Sequence, residues 1–172
     1  MFFTKTKLYK KYKRPIDGGK TLNNKRILGD NKTWIGFISM IVISSIVHVI
    51  WGEIVRILEC SHKSDYYKVK ENRIQYNLIL GFLNGFIYVA SELPNSFLKR
   101  RIGIESGKRA SGIKGLIFFI IDQIDSIVGI AFVITRVSKS KWKKFIEYVG
   151  LGAIVHVSTN YILCKLHVRK SL

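Results

Sequence analysis

The sequence predicts an all-α, polytopic integral membrane protein with about four transmembrane helices and cytoplasmic loops. Three apolar runs, TWIGFISMIVISSIVHVIWG (33–52), GLIFFIIDQIDSIVGIAFVIT (115–135) and FIEYVGLGAIVHVSTNYILC (145–164), each reach the about 20 residues that cross a bilayer core. The composition agrees, with 48% hydrophobic residues and only two prolines among 172, so little interrupts helical spans. The charge agrees too: a net +18 is carried by residues that flank the apolar runs. Such flanking cations are attracted to lipid headgroups, which argues against a nucleic-acid partner.

The chain divides into a basic cytoplasmic segment over residues 1–33 and a four-helix transmembrane domain over 34–172. Its first residues, MFFTKTKLYKKYK, lack the apolar core of a secretory signal peptide. The following stretch, 14–37, sets Gly18, Gly19 and Gly29 among Lys20, Lys25, Arg26 and Lys32. Glycines let backbone N–H groups approach an anion and lysines supply point charges to phosphate. GGKTLNNK lacks Walker spacing, and a flexible juxtamembrane loop touching headgroups explains the same composition equally well.

In the first span, His48 with Ser44, Ser45 and Gly52 is expected to hydrogen-bond between helices. The second span, YNLILGFLNGFIYVASELPNSFL (76–98), is more polar and reads as functional. Gly81, Asn84, Tyr88, Glu92, Asn95 and Lys99 recur every three or four residues and form one polar stripe. Pro94 removes a donor to the carbonyl of Ala90 and predicts a kink, tolerated where backbone lines a cavity. Lys99, Arg100 and Arg101 follow, either as a charge cluster that fixes orientation or as phosphate ligands.

The third span carries Asp122 and Asp125 midway along its length. A carboxylate there costs roughly 2.5–3.5 kcal/mol on insertion scales, and acids at i and i+3 share a helical face. A divalent cation held by both, with Glu92 as a further carboxylate, offsets that cost. The last span carries His156 and Asn160 one turn apart, expected to hydrogen-bond between helices, while Gly81, Gly85, Gly129, Gly150 and Gly152 are expected to let helices approach. Cys60 and Cys164 show neither metal spacing nor a disulfide framework. With a cytoplasmic N-terminus, 19 of the 29 Lys and Arg residues fall inside, as the positive-inside rule asks, although 136–144 is a basic outside loop.

The 14–37 block, the string ELPNSFLKRR and FFIIDQIDSIVG together resemble the CDP-archaeol synthase family, relatives of the phosphatidate cytidylyltransferases. The wider group has an S-x-x-K-R signature followed at a distance by D-x-x-D, met here by Ser96, Lys99, Arg100, Asp122 and Asp125. The resemblance implies transfer of CMP from CTP to a lipid phosphate, archaeol-type or phosphatidate-like, releasing pyrophosphate with Mg2+ as cofactor. It implies Asp122, Asp125 and Glu92 as metal ligands, and Lys99 beside the two aspartates as a catalytic residue. Asp17, Lys20, Lys25, Arg26, Asp30, Lys32, Ser96, Arg100 and Arg101 would bind substrate. Glu92 stands where the wider group commonly has aspartate after glycine. The glycine- and histidine-rich segment of phosphatidate cytidylyltransferases is absent, which favours the archaeol branch, and the charged N-terminus reads as lacking the extra first helix of most members.

The expected setting is the plasma membrane, multi-pass, with the site facing the cytoplasm, and the expected partners are CTP, a lipid phosphate and membrane lipids. Two other classes stay open: a degenerate, non-catalytic homologue acting as a lipid-binding or partner subunit, and a small ion transporter using the acids as a relay. A CDP-alcohol phosphotransferase is disfavoured because DG-x-x-AR is missing.

Overall fold

A computed structural model describes residues 12–108 and 110–166; the basic N-terminal stretch before Tyr12, Arg109 and the residues after Leu166 lie outside the described residues. Four long helices make up most of it: α1 (Trp34–Ile57), α2 (Ile74–Arg101), α3 (Gly112–Val137) and α4 (Trp142–Lys165). α2, α3 and α4 each contain one expected span and extend it at both ends, while α1 starts one residue into its span, after Thr33, and runs beyond its far end. The first three are long and apolar enough to cross a membrane. The fourth, at 24 residues, measures about 36 Å at 1.5 Å per residue, but Lys143, Lys144 and Glu147 make its opening turns more polar.

Helices pack in chain order, α1 on α2, α2 on α3 and α3 on α4. Small residues allow the contact between α1 and α2. A Cβ on Gly81 would sit 2.4 Å from the Ser45 Cα, and one on Gly85 2.7 Å from the Ile41 Cα, so only hydrogen fits at either crossing. Gly129 faces Ser91 and Gly152 faces Ile127 in the same way, whereas Gly150 meets nothing within 4 Å and is not a packing glycine as expected. Pro94 lies inside α2 without ending it.

The interior is unusually polar. Asn77, Asn84, Asn95, Ser96, Gln123, Ser126, Thr135 and Asn160 are buried, while Ile38, Val42, Ile46, Ile50, Ile146 and Leu151 are exposed. Apolar side chains outward and hydrogen-bonded polar ones inward is the arrangement a bilayer solvent selects. His48 accepts from the Asn84 amide at 3.0 Å, and its other ring nitrogen lies 2.9 Å from the Ser44 carbonyl. The expected interhelical role of His48 is thereby met.

The loop 58–73 closes one end of the bundle. Asn84 also donates to the Tyr66 hydroxyl at 2.9 Å, Asn72 donates to the Gly52 carbonyl at 2.7 Å, and Tyr148 of α4 donates to Asp65. Burial pushes the Tyr66 hydroxyl well above the ordinary tyrosine range, so it stays protonated.

At the opposite end, residues 14–33 fold into a cap. Ile16 donates to the Lys32 carbonyl at 2.9 Å and Trp34 to the Arg14 carbonyl at 3.0 Å, and the Thr33 hydroxyl caps α1 by accepting from Gly36 at 3.2 Å. Within the cap, β1 (Thr21–Leu22) pairs antiparallel with β2 (Lys25–Arg26). Asn23 and Asn24, at φ +50° and +58°, make the primed two-residue turn that such hairpins favour. This small sheet is an addition to the all-α expectation.

Candidate active site at the capped end of the bundle

A cavity of about 760 Å³ lies under the cap, where the end of α2 meets the start of α3. Its volume falls within the range of small-molecule sites, about 300–1,000 Å³. Lys32 reaches it from the cap, Glu92, Asn95, Ser96, Lys99 and Arg100 from α2, Asp122, Gln123 and Asp125 from α3, and His156 from α4. Ile104, Ser106, Gly107, Lys108 and Ala110 line it on the loop side.

Helical spacing puts Glu92, Asn95, Ser96 and Lys99 on one face of α2 and the two aspartates on one face of α3, and helix packing sets the faces against each other. The single Asn95 Nδ2 donates to Asp122 Oδ1 at 2.6 Å and to Asp125 Oδ2 at 2.9 Å. Lys99 Nζ lies 2.5 Å from both Asp122 oxygens and over the Phe118 ring at 5.7 Å. Asp125 also accepts from the Ser126 backbone N–H at 2.7 Å. Glu92 pairs with Lys32 of the cap and is linked to Asp125 through the Ser126 hydroxyl, 3.3 Å from Glu92 and 3.1 Å from Asp125. Asn160 of α4 donates to Gln123 at 2.9 Å, the interhelical role expected of it. His156 faces the cavity, a placement its spacing with Asn160 did not single out.

The remaining cationic residues of the motif build the cap. Arg100 donates to the Leu28 carbonyl at 3.1 Å and to that of Ile104, so it lines the cavity while tying 14–33 to 102–111. Arg101 donates to the carbonyls of Leu22, Lys25 and Arg26 at 2.6, 3.0 and 2.6 Å, and Lys25 returns a bond to the Arg101 carbonyl at 2.8 Å. Gly29, at φ +99°, is where the two loops touch: a Cβ there would lie 3.0 Å from Ser106 and 3.3 Å from the Arg100 Nε.

Asp17 organises the cap from inside. Its side chain is fully buried, and it accepts from the backbone of Gly19, Leu28 and Gly29 at 3.0, 2.9 and 2.9 Å and from Arg26 at 2.7 Å. Burial opposes its ionisation, but Arg26 and the three N–H groups more than offset this and hold the carboxyl far below the usual range. Asp30 completes the unit by pairing with Arg26 at 2.7 Å. Lys32, Ser96, Lys99, Arg100, Glu92, Asp122 and Asp125 therefore meet in the cavity. Asp17, Lys20, Lys25, Arg26 and Asp30 stand in the cap behind it, and Arg101, at the end of α2, anchors that cap.

Among the described residues, no three His, Cys, Asp or Glu side chains gather closely enough to form a complete metal cage. The donors around Asp122 and Asp125 nonetheless fit a hard divalent cation. Two carboxylates reach one nitrogen, an ammonium already sits on one of them, and the buried Asn95 Oδ1 beside them has no partner. Oxygen donors of this kind suit magnesium, which holds one or two carboxylates and keeps the rest of its shell for water and phosphate. Asn95, Gln123, Ser126 and His156 are the cavity and network residues that motif reading left unassigned; the polar stripe on α2 was the available signal for Asn95.

Comparison with known proteins places this chain in a family. The CarS-like family model, described as CDP-archaeol synthase, matches residues 10–171. The chain is similar to the CDP-archaeol synthase of Archaeoglobus fulgidus, 32% identical over 91% of this chain and 82% of the relative. It is similar to that of Thermococcus kodakarensis at 30% over 89% and 78%, and to that of Sulfurisphaera tokodaii at 25% over 90% and 79%. No solved structure matches it.

Proposed function

This chain belongs to the CDP-archaeol synthase family, CTP-dependent cytidylyltransferases that act on a lipid phosphate, and on that premise we propose that the cavity under the cap is where CMP is transferred. An oxygen of the lipid phosphate attacks the α-phosphorus of CTP, the bond from that phosphorus to the bridging oxygen breaks, and pyrophosphate leaves. A phosphate dianion is already the nucleophile, so the absence of a positioned general base on the acids is no obstacle.

The observation that carries this reading is the meeting of seven charged side chains at one place. Lys32, Lys99, Arg100 and Lys108 face Glu92, Asp122 and Asp125, which leaves the cavity close to neutral. A triphosphate entering it needs a further cation, and Asp122 and Asp125, with Glu92 nearby, would hold Mg2+, which polarises phosphoryl oxygens and stabilises the charge gained in transfer. Lys99, freed from Asp122, then points an ammonium at the leaving pyrophosphate, and Lys32 does the same from the cap side. Ser96 supplies a neutral hydroxyl on the same wall. Asp17, Arg26, Asp30 and Arg101 hold the backbone of the cap in place, with Lys20 and Lys25 on its rim, so 1–33 acts as the nucleotide-side segment of the helical domain 34–172.

CTP is soluble and its acceptor is not, so the cavity must sit where water meets lipid. The capped end faces the cytoplasm of the plasma membrane in this reading, the side the positive-inside count favours. A non-catalytic homologue is not favoured, because Glu92, Asp122 and Asp125, acids that are costly in a membrane, converge on one cavity. The test is incubation of the purified chain with CTP, Mg2+ and a panel of ether and ester lipid phosphates. CDP-lipid and pyrophosphate should form in equal amounts and fall by about 100-fold or more in Asp122→Asn and Asp125→Asn. Turnover near wild type in Asp125→Asn would remove the site.

A further inference from the structure

We propose that Asn95 is a ligand-switching residue: its amide rotates on cation binding, so that Oδ1 replaces Nδ2 between Asp122 and Asp125 as a third oxygen ligand. This deepens the reading that the two aspartates hold a divalent cation, and it rests on that reading. Both hydrogens of Nδ2 are engaged, at 2.6 and 2.9 Å, by carboxylates on a different helix. The other end of the same amide, Oδ1, is buried with no hydrogen-bond partner, and the residue is only 6% exposed. A buried carbonyl-type oxygen left bare is an exception that calls for an explanation.

The chemistry of the amide supplies one. The terminal torsion of asparagine has a broad, roughly two-fold profile, so exchanging Oδ1 and Nδ2 needs little displacement of the helix. Without a cation, two carboxylates converging on one point need a donor, and Nδ2 satisfies both. With a divalent cation between them the donor becomes repulsive, and a neutral oxygen in its place completes a hard, all-oxygen set. Asparagine can do both, since it carries a donor and an acceptor at interchangeable positions, and Asn95 is the residue of this face that already bridges the two aspartates. Lys99 leaves Asp122 in the same step, so cation binding releases an ammonium and turns an amide at one site.

The test is Mn2+ binding to the purified full chain in nanodiscs, titrated by electron paramagnetic resonance, in wild type, Asn95→Leu, Asn95→Asp and Asp122→Asn. Asn95→Asp keeps an oxygen ligand and loses the donor; Asn95→Leu, of similar size, loses both. The expected result is Mn2+ affinity in Asn95→Asp at least equal to wild type, with Asn95→Leu weaker by roughly tenfold or more. An amide that only braces the aspartates through Nδ2 would make both substitutions weaken binding, and that outcome overturns the proposal even if Asn95→Leu does not fold. Wild-type affinity in Asn95→Leu, with binding lost in Asp122→Asn, overturns the ligand role of Asn95 and leaves the aspartate site standing. Absence of Mn2+ binding in the wild type overturns both.

Discussion

Replacing Asp17 by alanine should open the cap and leave the helices in place. The carboxylate accepts three backbone N–H bonds, from Gly19, Leu28 and Gly29, and a further bond from Arg26, all from a side chain with no exposed surface. Losing it strands donors in the cap interior, and a single unsatisfied buried group costs about 1–3 kcal/mol. With three N–H groups and an unpaired guanidinium affected, and partial recovery by water, about 3 kcal/mol of local destabilisation is a fair lower figure. That shifts the closed-to-open ratio of the cap by about two orders of magnitude. Lys20, Lys25 and Arg26 lie in this segment, so trypsin cleavage between residues 20 and 27 should accelerate by about that factor, because proteolysis follows the open population when closing is fast. Helical circular dichroism should change little, and KM for CTP should rise far more than the lipid KM. Acid should reproduce the effect. The Asp17 carboxyl is depressed in the folded state, so its contribution is complete above its unfolded value near 3.9 and disappears only as pH falls through the folded value. The cleavage rate corrected for protease activity should therefore be flat from pH 6 to 9. An unchanged cleavage rate together with an unchanged CTP KM in Asp17→Ala would refute the view that this carboxylate holds the cap.

Lys99→Gln should lower kcat/KM for CTP by about 100-fold, and Lys99→Arg by about tenfold, since a planar guanidinium does not reproduce a point charge on Asp122; steady-state kinetics with both variants near wild type would return Lys99 to a topology signal. Gly81→Val places a Cβ 2.4 Å from the Ser45 Cα, forcing α1 from α2, and should cost about 1–3 kcal/mol, read as a lower melting temperature in detergent; an unchanged midpoint would mean the crossing is looser than described. Cys60 follows α1 at one end of the bundle and Cys164 closes α4 at the capped end, so an impermeant maleimide added to intact cells should label Cys60, spare Cys164, and fail in Cys60→Ser. Labelling confined to Cys164 would put the cap on the wrong side for CTP.

What the sequence by itself determined is set by local rules. Apolar length against bilayer thickness located all four helices, because a span needs only enough consecutive apolar residues and no knowledge of its neighbours. Three- and four-residue spacing put Glu92, Asn95 and Lys99 on one face and Asp122 with Asp125 on another, and the cost of intramembrane charge singled those acids out as candidates. Family motifs added the reaction. Only the tertiary structure decided which faces meet and what each polar group does there, because helix rotation and loop return are set by packing between residues far apart in the chain. Lys32 finds Glu92 60 positions away and Asn95 finds Asp122 27 away, separations no periodicity encodes. The same holds for Arg101 and Asp17, which the family resemblance implies as substrate ligands: it takes the folded chain to show that one anchors cap carbonyls and the other is buried beneath them. Backbone donors and acceptors in a folded loop must be satisfied, and these two charged side chains were the partners within reach.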